Sequence, residues 1–442
     1  MKPKYFGTDG LRGQGFKELN ARLAYKLGQG LKEALNNDKV VIGMDTRDSS
    51  SMLAHMVAAG ALTAGMSVFF AGVVSTPMIA HYSKQKGFAG IMITASHNPY
   101  TDNGIKVFNK GYKSNVSEEL IIENYIDDQK VISNSLFGSF NLTDDVEKEY
   151  LSLIERLNLK ESKIKFAYDS ANGANFLIAN KIMSTYFPNS VQISNEPNGK
   201  NINLNCGSTH IEAVREYVIN NKLDLGFAYD GDGDRVMMVD GKGNIYDGDF
   251  IIYSIGKYLN QKNELNKKHV VLTKMSNPGI LKALKREGIN YVLTDVGDKY
   301  VYAAMNDNGY NLGGEASGHI IISNILHSGD GLLSSLYVLK MLIENNISLE
   351  EFTKDVTLYP LKLVNIKNVN KEVLKQEHVI KYLEGIREEF EDEDILLIRP
   401  SGTEPLVRVT ISCLNNEKLD KYMNKIVSFI KEEGEKLWKL MV

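Results

Sequence analysis

LGFAYDGDGDRVMMV, residues 225–239, is the stretch of this 442-residue chain that says most about its fold. One apolar run leads into the segment and a second leads out of it, which predicts a strand, a sharp loop and another strand. Within the loop, Asp230, Asp232 and Asp234 alternate with glycines. Because glycine has no side chain and permits positive φ, the loop can turn all of these carboxylates toward one point.

Carboxylates held this close repel one another strongly unless a cation lies between them. Hard oxygen ligands suit Mg²⁺ or Ca²⁺, and Mg²⁺ usually completes its coordination shell with a phosphate. An EF-hand calcium loop is excluded, because its sixth and twelfth positions counted from Asp230 hold Arg235 and Gly241. The alternative is a solvated acidic turn. An Arg directly after the last Asp favours an anion held beside the metal.

The composition is ordinary for a soluble globular protein, with 43% hydrophobic and 24% charged residues. The length predicts three or four domains. A net charge of −4 provides no bulk attraction to nucleic acid or to an anionic membrane. The two cysteines, Cys206 and Cys413, lack metal-ligand spacing and fit a reducing compartment. With no apolar leader and no long apolar run, we expect a cytoplasmic protein.

Strand and helix patterns alternate along the chain, which predicts α/β architecture with mixed or mostly parallel sheets. Apolar runs predict strands at 39–44, 67–74, 89–94, 164–168, 223–229, 269–274, 290–294 and 394–398. Amphipathic periods predict helices at 21–36, 211–220, 331–344 and 416–440, the last of which would cap a small terminal domain. Polar stretches at 127–145 and 365–372 are interpreted as linkers or sheet edges, and a break near 245–250 is less distinct.

A second unusual loop, TASHNP at 94–99, follows an apolar strand and places Ser96 beside His97. Adjacent residues rarely form a nucleophile–base pair, and no G-x-S-x-G elbow surrounds Ser96, so hydrolytic catalysis is not favoured. Two hypotheses remain, a plain turn serine and a serine that carries a phosphoryl group. A phosphoserine would supply the phosphate oxygen that a metal at the Asp loop needs.

A third loop, LGGEASGH at 312–319, is polar, rich in Gly and followed by an apolar run. Glu315, Ser317 and His319 are spaced by two residues and can present hydrogen-bonding groups to vicinal hydroxyls. Such carboxylate and hydroxyl pairing is a common way to bind a sugar. The alternative is a Glu that caps a neighbouring backbone turn.

A fourth loop, RPSGTEP at 399–405, follows another predicted strand, and Arg408 lies three residues beyond it. Arg offers a bidentate fork for phosphate, while Ser, Thr and Gly backbone N–H groups can complete an anion site. This is not a P-loop, because no Gly-Lys-Ser/Thr occurs. The alternative is a Pro-flanked hairpin turn with a surface Arg. FGTDGLRG at 6–13 adds Arg12 in another Gly-rich loop.

Taken in order, TASHNP, DGDGDR, GEASGH and RPSGTEP closely resemble the phosphoserine, metal, sugar and phosphate loops of the α-D-phosphohexomutases. The resemblance spans almost the whole chain, and these loops in register are a highly specific signal. Within that family, GTDGLRG, NINLNCGSTH (201–210), LGGEASGHII and RPSGTEPLVRV are most similar to the bacterial phosphoglucosamine mutases. The chain length also suits that branch.

The resemblance implies four domains around a central cleft, three α/β domains with mixed sheets and a smaller C-terminal α+β domain. Each loop would come from a different domain. The expected divisions are a phosphoserine-loop domain at 1–150, a metal-loop domain at 151–250, a sugar-loop domain at 251–365 and a C-terminal phosphate-binding domain at 366–442.

The resemblance also implies a role for each matching residue. It implies a phosphoserine at Ser96 and a metal site made by Ser96, Asp230, Asp232 and Asp234. It implies sugar contacts from Glu315 and Ser317, and a clamp on the non-reacting phosphate made by Arg399, Ser401, Gly402, Thr403 and Arg408. It makes Lys106 and His319 the candidates for proton transfer, and Arg12 and Arg235 the candidates for steadying the transferring phosphoryl group.

The activity implied by the resemblance is interconversion of glucosamine 6-phosphate and glucosamine 1-phosphate by an isomerase-class phosphotransferase, for amino-sugar nucleotide and cell-wall precursor synthesis. The implied cofactor is one Mg²⁺ per chain, and the implied intermediate or primer is glucosamine 1,6-bisphosphate. A small sugar phosphate is the expected partner, without nucleic acid or membrane, and any self-association is expected to give a homodimer.

The sequence departs from the family pattern in three places. Ala316 replaces a polar residue, DVGDK at 295–299 replaces Lys-Val-Gly-Asp-Arg, and Ser49-Ser50 replaces a more usual Ser-Gly. The first two departures leave the amino-sugar preference open. The metal and phosphate loops are intact. The alternatives are a phosphoglucomutase or phosphomannomutase on the same scaffold and a non-catalytic sugar-phosphate or metal-binding protein.

Overall fold

The protein is described by a computed structural model covering residues 3–7, 9–130, 132, 137–400 and 406–441. Within these residues, four β-sheets follow one another along the chain, and helices pack against each of them. The sheets contain eight, five, four and three strands in chain order. The predicted α/β architecture with mixed sheets is confirmed.

The first sheet contains both parallel and antiparallel strands. Its strands are β1 (Phe6–Gly7), β2 (Gly10–Gln14), β3 (Lys39–Met44), β4 (Ser67–Val73), β5 (Ala89–Ile93), β6 (Asp102–Asn109), β7 (Tyr112–Lys113) and β8 (Phe140–Leu142). The helices of this region are α1 (Ala21–Leu35), α2 (Asp48–Thr63), α3 (Thr76–Lys86), α4 (Val116–Ile126) and α5 (Asp145–Glu155). The strand order is β1-β2-β6-β5-β3-β4-β8, with β7 beside β6. Since β3 and β5 are parallel neighbours, the loops that follow them lie at the same sheet edge.

The second sheet carries the acidic hairpin. Its strands are β9 (Phe166–Asp169), β10 (Val191–Ile193), β11 (Leu225–Tyr229), β12 (Val236–Asp240) and β13 (Ile245–Tyr246), with helices α6 (Phe176–Tyr186) and α7 (Glu212–Asn221). The order is β10-β9-β11-β12-β13. β11 and β12 pair antiparallel from Leu225↔Asp240 to Tyr229↔Val236, as the sequence predicts.

The third sheet has the order β15-β14-β16-β17. Its strands are β14 (His269–Thr273), β15 (Asn290–Thr294), β16 (Leu312–Gly314) and β17 (Ile320–Ile322). The helices are α8 (Gly248–Gln261), α9 (Pro278–Arg286), α10 (Asp298–Asn308), α11 (Gly331–Asn345) and α12 (Leu349–Thr353), with a short 3-10 helix at Asn266–Lys268.

The fourth sheet is small and fully antiparallel, with the order β18-β20-β19. Its strands are β18 (Leu361–Lys367), β19 (Ile395–Pro400) and β20 (Leu406–Ser412). They are accompanied by a 3-10 helix (Lys371–Lys375), α13 (Glu377–Arg387) and α14 (Asn416–Met441).

Capping residues fix where the helices next to the cleft begin. The Asp247 side chain accepts the Phe250 N–H at the start of α8, and Asp330 accepts the Leu333 N–H at the start of α11. These caps satisfy backbone donors that have no partner within the helix. Burial raises the pKa of Asp330 to about 6, although the Tyr150 hydroxyl donates to this carboxylate at 2.7 Å.

The apolar cores divide the molecule unevenly. The largest cluster combines residues of the first three sheets, among them Met92, Phe227 and Leu272. The fourth sheet has a cluster of its own, which includes Val409 and Ile426. The first three sheets are therefore joined through one continuous core, whereas the C-terminal unit is packed separately.

The predicted strands and helices agree with the structure to within two residues at each end. Both polar stretches interpreted as linkers or edges contain edge-strand residues, from β8 in one case and from β18 in the other. The divisions at 150, 250 and 365 stay predictions. Among the described residues, none of the helices combines the length and apolar character needed to cross a bilayer.

Candidate active site

The acidic loop lies buried between β11 and β12. Asp230 and Asp232 are fully buried, and Asp234 is 6% exposed. One carboxylate oxygen from each lies within 4.8 Å of the other two. The turn depends on Gly233, whose φ is +77°, and on Gly231, where an added Cβ would lie 2.6 Å from the Ser96 carbonyl oxygen. The predicted convergence of the carboxylates is confirmed.

Ser96 follows β5 and reaches the acidic loop from the first sheet. Its Oγ donates to Asp230 Oδ2 at 2.7 Å, and the residue is 1% exposed. Its φ is +54°, an uncommon conformation for a non-glycine residue. Ser96 and Asp230, 134 residues apart in sequence, therefore belong to one cluster.

Lys106 enters the same cluster from β6. Its Nζ donates to Asp232 Oδ2 at 2.8 Å and to Asp234 Oδ2 at 3.2 Å, and it lies 3.3 Å from Asp9 Oδ2. Burial alone would lower the pKa of Lys106, but these carboxylates raise it well above its ordinary value.

The carboxylates of the loop differ in their electrostatics. Burial, with Asp234 and Asp232 nearby, raises the pKa of Asp230 well above its usual range. Burial would also raise the pKa of Asp232, but Lys106 and the Thr76 hydroxyl lower it below its ordinary value. The Thr76 hydroxyl donates to Asp232 Oδ2 at 2.5 Å.

The acidic loop retains unused ligand atoms. Asp232 Oδ1 and Asp234 Oδ1 are buried and make no hydrogen bond within the described structure. Unsatisfied buried carboxylate oxygens that converge with a serine hydroxyl form a hard oxygen donor set. These residues therefore fit a divalent cation such as Mg²⁺.

A cavity of about 670 Å³ opens beside this cluster. Its walls include Arg12, His97, Asp234 and Arg235, and also residues of the third sheet. The Arg12 Nη1 donates to the Ala95 carbonyl at 2.7 Å, which fixes its guanidinium next to the Ser96 loop. Burial, together with Arg235 and Arg12, lowers the pKa of His97 to about 4 and keeps its ring neutral at pH 7. The wall near Ser96 therefore carries two guanidinium groups beside the Asp234 carboxylate.

The loop between β16 and β17 also lines the cavity. Glu315, Ser317 and His319 all line the cavity. Glu315 Oε1 accepts the Gly297 N–H at 2.9 Å, and Ser317 is exposed. His319 is 6% exposed, and its buried Nδ1 has no hydrogen-bond partner among the described residues. The predicted hydroxyl-binding side chains therefore share one cavity.

Backbone contacts join the loop between β16 and β17 to the acidic hairpin. Arg235 and His319 form an isolated antiparallel bridge, and the Val236 N–H donates to the Gly318 carbonyl at 3.1 Å. An added Cβ at Gly318 would lie 2.3 Å from the Val236 carbonyl oxygen, so this contact requires glycine. The two loops are held at a fixed distance.

A network of charged residues that the sequence analysis did not predict lies among the residues that line the cavity. Lys113 Nζ lies 2.7 Å from Asp9 Oδ1 and 2.5 Å from Asp298 Oδ2, joining the first sheet to α10. Asp298 Oδ2 lies 3.9 Å from His319 Nε2. Burial would lower the pKa of Lys113, but Asp298 and Asp9 raise it. Asp9 stands in the GTDGLRG loop, which gave a signal, whereas Lys113 has no motif.

The C-terminal arginines lie apart from this cavity. Arg399 on β19 and Arg408 on β20 are directly opposite each other in the antiparallel register. Arg408 Nε donates to Asn365 Oδ1 at 2.9 Å. Ser401, Gly402 and Thr403 lie outside the described residues. Neither arginine is among the described residues that line the central cavity.

Comparison with protein families matches the chain to all parts of one architecture. Residues 3–132, 148–243 and 247–359 match the phosphoglucomutase/phosphomannomutase alpha/beta/alpha domains I, II and III, respectively. Residues 363–428 match the C-terminal domain of the same family. Together the matches cover most of the chain, and the four matched domains follow the same order as the four sheets.

Curated relatives agree along the full length. A phosphoglucosamine mutase of Caldicellulosiruptor saccharolyticus is 42% identical over 97% of this chain and 98% of its own. A phosphoglucosamine mutase of Streptococcus pneumoniae is 42% identical over 97% of this chain and 99% of its own.

Solved structures share the fold. A phosphoglucomutase/phosphomannomutase family protein of Burkholderia thailandensis superposes with a TM-score of 0.82 at 20% identity, covering 97% of both chains. The N-acetylphosphoglucosamine mutase of Aspergillus fumigatus, in complex with GlcNAc-6P and magnesium, gives a TM-score of 0.67 at 16% identity, covering 98% of this chain and 96% of its own. The chain therefore belongs to the phosphoglucomutase/phosphomannomutase family of phosphohexomutase enzymes, together with the phosphoglucosamine mutases.

Proposed function

We propose that this enzyme interconverts glucosamine 6-phosphate and glucosamine 1-phosphate through a phosphoryl group carried on Ser96. The observation that carries the proposal is the 2.7 Å contact between Ser96 Oγ and Asp230, beside a cavity that also contains a sugar-type loop. The full-length relatives named phosphoglucosamine mutase support the choice of amino sugar.

Asp230, Asp232, Asp234 and the Ser96 oxygen would hold one Mg²⁺. The free, buried oxygens of Asp232 and Asp234 support this assignment. When bound, the ion supplies positive charge that offsets the charge on a transferring phosphoryl group.

In the first transfer, the bond between phosphorus and Ser96 Oγ breaks while a free sugar hydroxyl oxygen bonds to the phosphorus. The hydroxyl loses its proton, and the Ser96 oxygen regains one. His319 is suited to accept a proton, because its side chain lines the cavity in which the sugar hydroxyl would lie. Lys106 lies within the carboxylate cluster, where its ammonium can steady or protonate the serine oxygen. Arg12 and Arg235 would steady the phosphoryl group from the cavity wall.

The product of this first transfer would be glucosamine 1,6-bisphosphate. After it turns around in the cleft, Ser96 takes the other phosphate, so atoms and charges return to the starting enzyme. Glu315 and Ser317 would hold the sugar hydroxyls in either orientation, with one Glu315 oxygen already fixed by Gly297. Positioning and electrostatics carry most of the rate enhancement in such a transfer.

The C-terminal unit would hold the phosphate that is not reacting. Arg399 and Arg408 lie opposite each other on adjacent strands, so their guanidinium groups can converge on one dianion. Ser401, Gly402 and Thr403 complete the proposed clamp on the basis of sequence.

A cytoplasmic location is proposed as well. Cys206 and Cys413 are both free and buried, as expected of a protein from a reducing compartment.

A coupled assay with glucosamine, glucose and mannose 6-phosphates, each with catalytic bisphosphate, tests the proposed substrate. We expect the highest kcat/KM with glucosamine 6-phosphate. A higher value with glucose or mannose 6-phosphate would favour the alternative mutases, and no turnover of any of them would favour a binding protein.

A further inference from the structure

Arg47 is a buried arginine that makes no contact with the Ser96 hydroxyl but holds the backbone around it. It lies just after β3 and is 2% exposed. Its Nη2 donates to the carbonyls of Ser96 at 2.8 Å and Asn98 at 3.0 Å. Its Nη1 donates to the carbonyls of Pro99 and Asp102, the latter at 3.0 Å. One guanidinium group therefore binds four backbone carbonyls within the segment 96–102.

A carboxylate fixes the orientation of this arginine. Asp45 Oδ2 accepts from Arg47 Nε at 2.8 Å and from the Thr94 hydroxyl at 2.7 Å, while Oδ1 accepts from the Ser50 hydroxyl at 2.6 Å. The Thr94 oxygen in turn accepts the Ser96 N–H at 2.9 Å. Both the N–H and the carbonyl of the serine are thus tied to the same buried ion pair.

A side chain from the second sheet's region also donates to two of these carbonyls. Asn203, from the segment NINLNCGSTH, donates through Nδ2 to the Ser96 carbonyl at 2.8 Å and to the Asn98 carbonyl at 3.1 Å. This side chain is 6% exposed. The loop is therefore held between its own sheet and the sheet that carries the acidic hairpin.

We infer that Arg47 is the positioning residue of the Ser96 loop. By binding carbonyls on both sides of the turn, it keeps Ser96 in its left-handed backbone conformation, with φ of +54°, and so keeps Oγ aimed at Asp230. Planar geometry is essential, because a lysine ammonium at this place cannot reach all these carbonyls at once. The inference rests on the proposed role of Ser96 as phosphoryl carrier.

The inference predicts a loss of turnover without a loss of substrate affinity. In Arg47→Lys, kcat should fall about 100-fold, because misplacing a reacting group by about 1 Å costs that much. The dissociation constant for glucosamine 6-phosphate, measured by calorimetry, should change less than about threefold, because the sugar and phosphate loops are untouched. Arg215→Lys is a control for the same substitution away from the site, since Arg215 is exposed and donates to one backbone carbonyl, that of Gly243.

Chemical rescue separates positioning from folding. Arg47→Gly should regain turnover about tenfold in millimolar guanidinium chloride but not in equal sodium chloride, because guanidinium can refill the carbonyl cage. If the Arg47 variants do not fold, Asn203→Asp supplies the test, because it is isosteric and removes the donors to Ser96 and Asn98. It should lower kcat about tenfold at unchanged substrate affinity.

Two results would overturn the inference. One is an Arg47→Lys enzyme with kcat within twofold of wild type, or, where Arg47 variants do not fold, an Asn203→Asp enzyme with unchanged kcat. The other is a parallel loss of kcat, substrate affinity and melting temperature without guanidinium rescue, which would make the role purely structural. Failure of the proposed function is seen separately, as an active Ser96→Ala enzyme.

Discussion

The Ser96 cluster and the Arg399–Arg408 pair differ in how firmly the protein holds them. Ser96 and Lys106 are almost fully buried, and each donates a hydrogen bond from the first sheet's region to a carboxylate of the acidic loop. Arg399 is exposed on a small sheet with its own core. The residues proposed for phosphoryl transfer, which need fixed geometry, thus lie in the shared core. The arginines proposed to bind the non-reacting phosphate lie on a separately packed unit.

Ion pairs at the surface contribute to the contact between the C-terminal unit and the third sheet's region. Lys282 pairs with Glu391 at 2.7 Å, and Lys285 pairs with Glu393 at 2.7 Å, both between α9 and the segment before β19. Such pairs contribute little to stability. The difference teaches that substitutions in the cluster should act on kcat, whereas those in the C-terminal unit should act mainly on KM.

The largest effect is expected at Ser96. Ser96→Ala should lower kcat by at least about 1,000-fold, because it removes the oxygen that carries the phosphoryl group. The melting temperature should stay close to that of wild type, because the substitution removes only one hydroxyl group. Steady-state kinetics together with a thermal melt provide the check, and a variant with undiminished turnover would refute the assignment.

Metal removal should have the next largest effect. Asp230→Asn should lower kcat about 100-fold or more and weaken Mg²⁺ binding, because it removes one hard ligand from the cluster. Calorimetric titration with Mg²⁺ measures the binding. Asp224→Asn, an exposed carboxylate just before the same hairpin, is the control. Wild-type enzyme that keeps full activity after chelation would contradict the metal site.

A smaller and different effect is expected from the clamp. Arg399→Ala should raise KM about tenfold or more, since a charge-assisted hydrogen bond to phosphate is worth about 1.5–3 kcal/mol. Some loss of kcat should follow, because the same phosphate orients the sugar. Ser96 phosphorylation and Mg²⁺ affinity should be unchanged. An unaltered KM with abolished Mg²⁺ binding would instead assign this loop to the metal site.

The smallest effect is expected from removing the ion pairs that join α9 to the C-terminal unit. The double variant Lys282→Ala/Lys285→Ala should change kcat/KM less than about threefold, since each exposed pair is worth about 0–1 kcal/mol. Any change should shrink as salt is raised. Lys148→Ala, which removes the exposed pair with Asp144 at the start of α5, is the control. A tenfold change would mean that these pairs fix the position of the C-terminal unit.

The sequence was sufficient for features that local pattern determines. The hairpin around Asp230 was predictable because apolar strands flank a glycine-spaced loop, and Ser96 because it ends a strand in a recognisable motif. The contact of Lys113 with Asp9 and Asp298 was not predictable, because it joins residues more than 100 positions apart. Tertiary packing alone creates such a contact.

Other features that the sequence did not predict have a similar cause. Thr76 and Arg47 stand in unremarkable stretches. Thr76 gains its role where the first two sheets meet, and Arg47 gains its role where the loops after β3 and β5 lie side by side in one sheet. The polar stretch at 365–372 was ambiguous because β18 is an edge strand, with Asn365 and Lys367 exposed. An exposed edge strand resembles a linker in sequence, since only one side of it is buried.

Transfer of a labelled phosphoryl group tests the central claim most directly. Enzyme labelled at Ser96 with ³²P is mixed with excess unlabelled glucosamine 6-phosphate in a rapid-quench experiment with Mg²⁺ present. The label should leave Ser96 and enter the sugar phosphates at least as fast as kcat. Label that stays on Ser96 through many turnovers, while glucosamine 1-phosphate accumulates, would contradict the account.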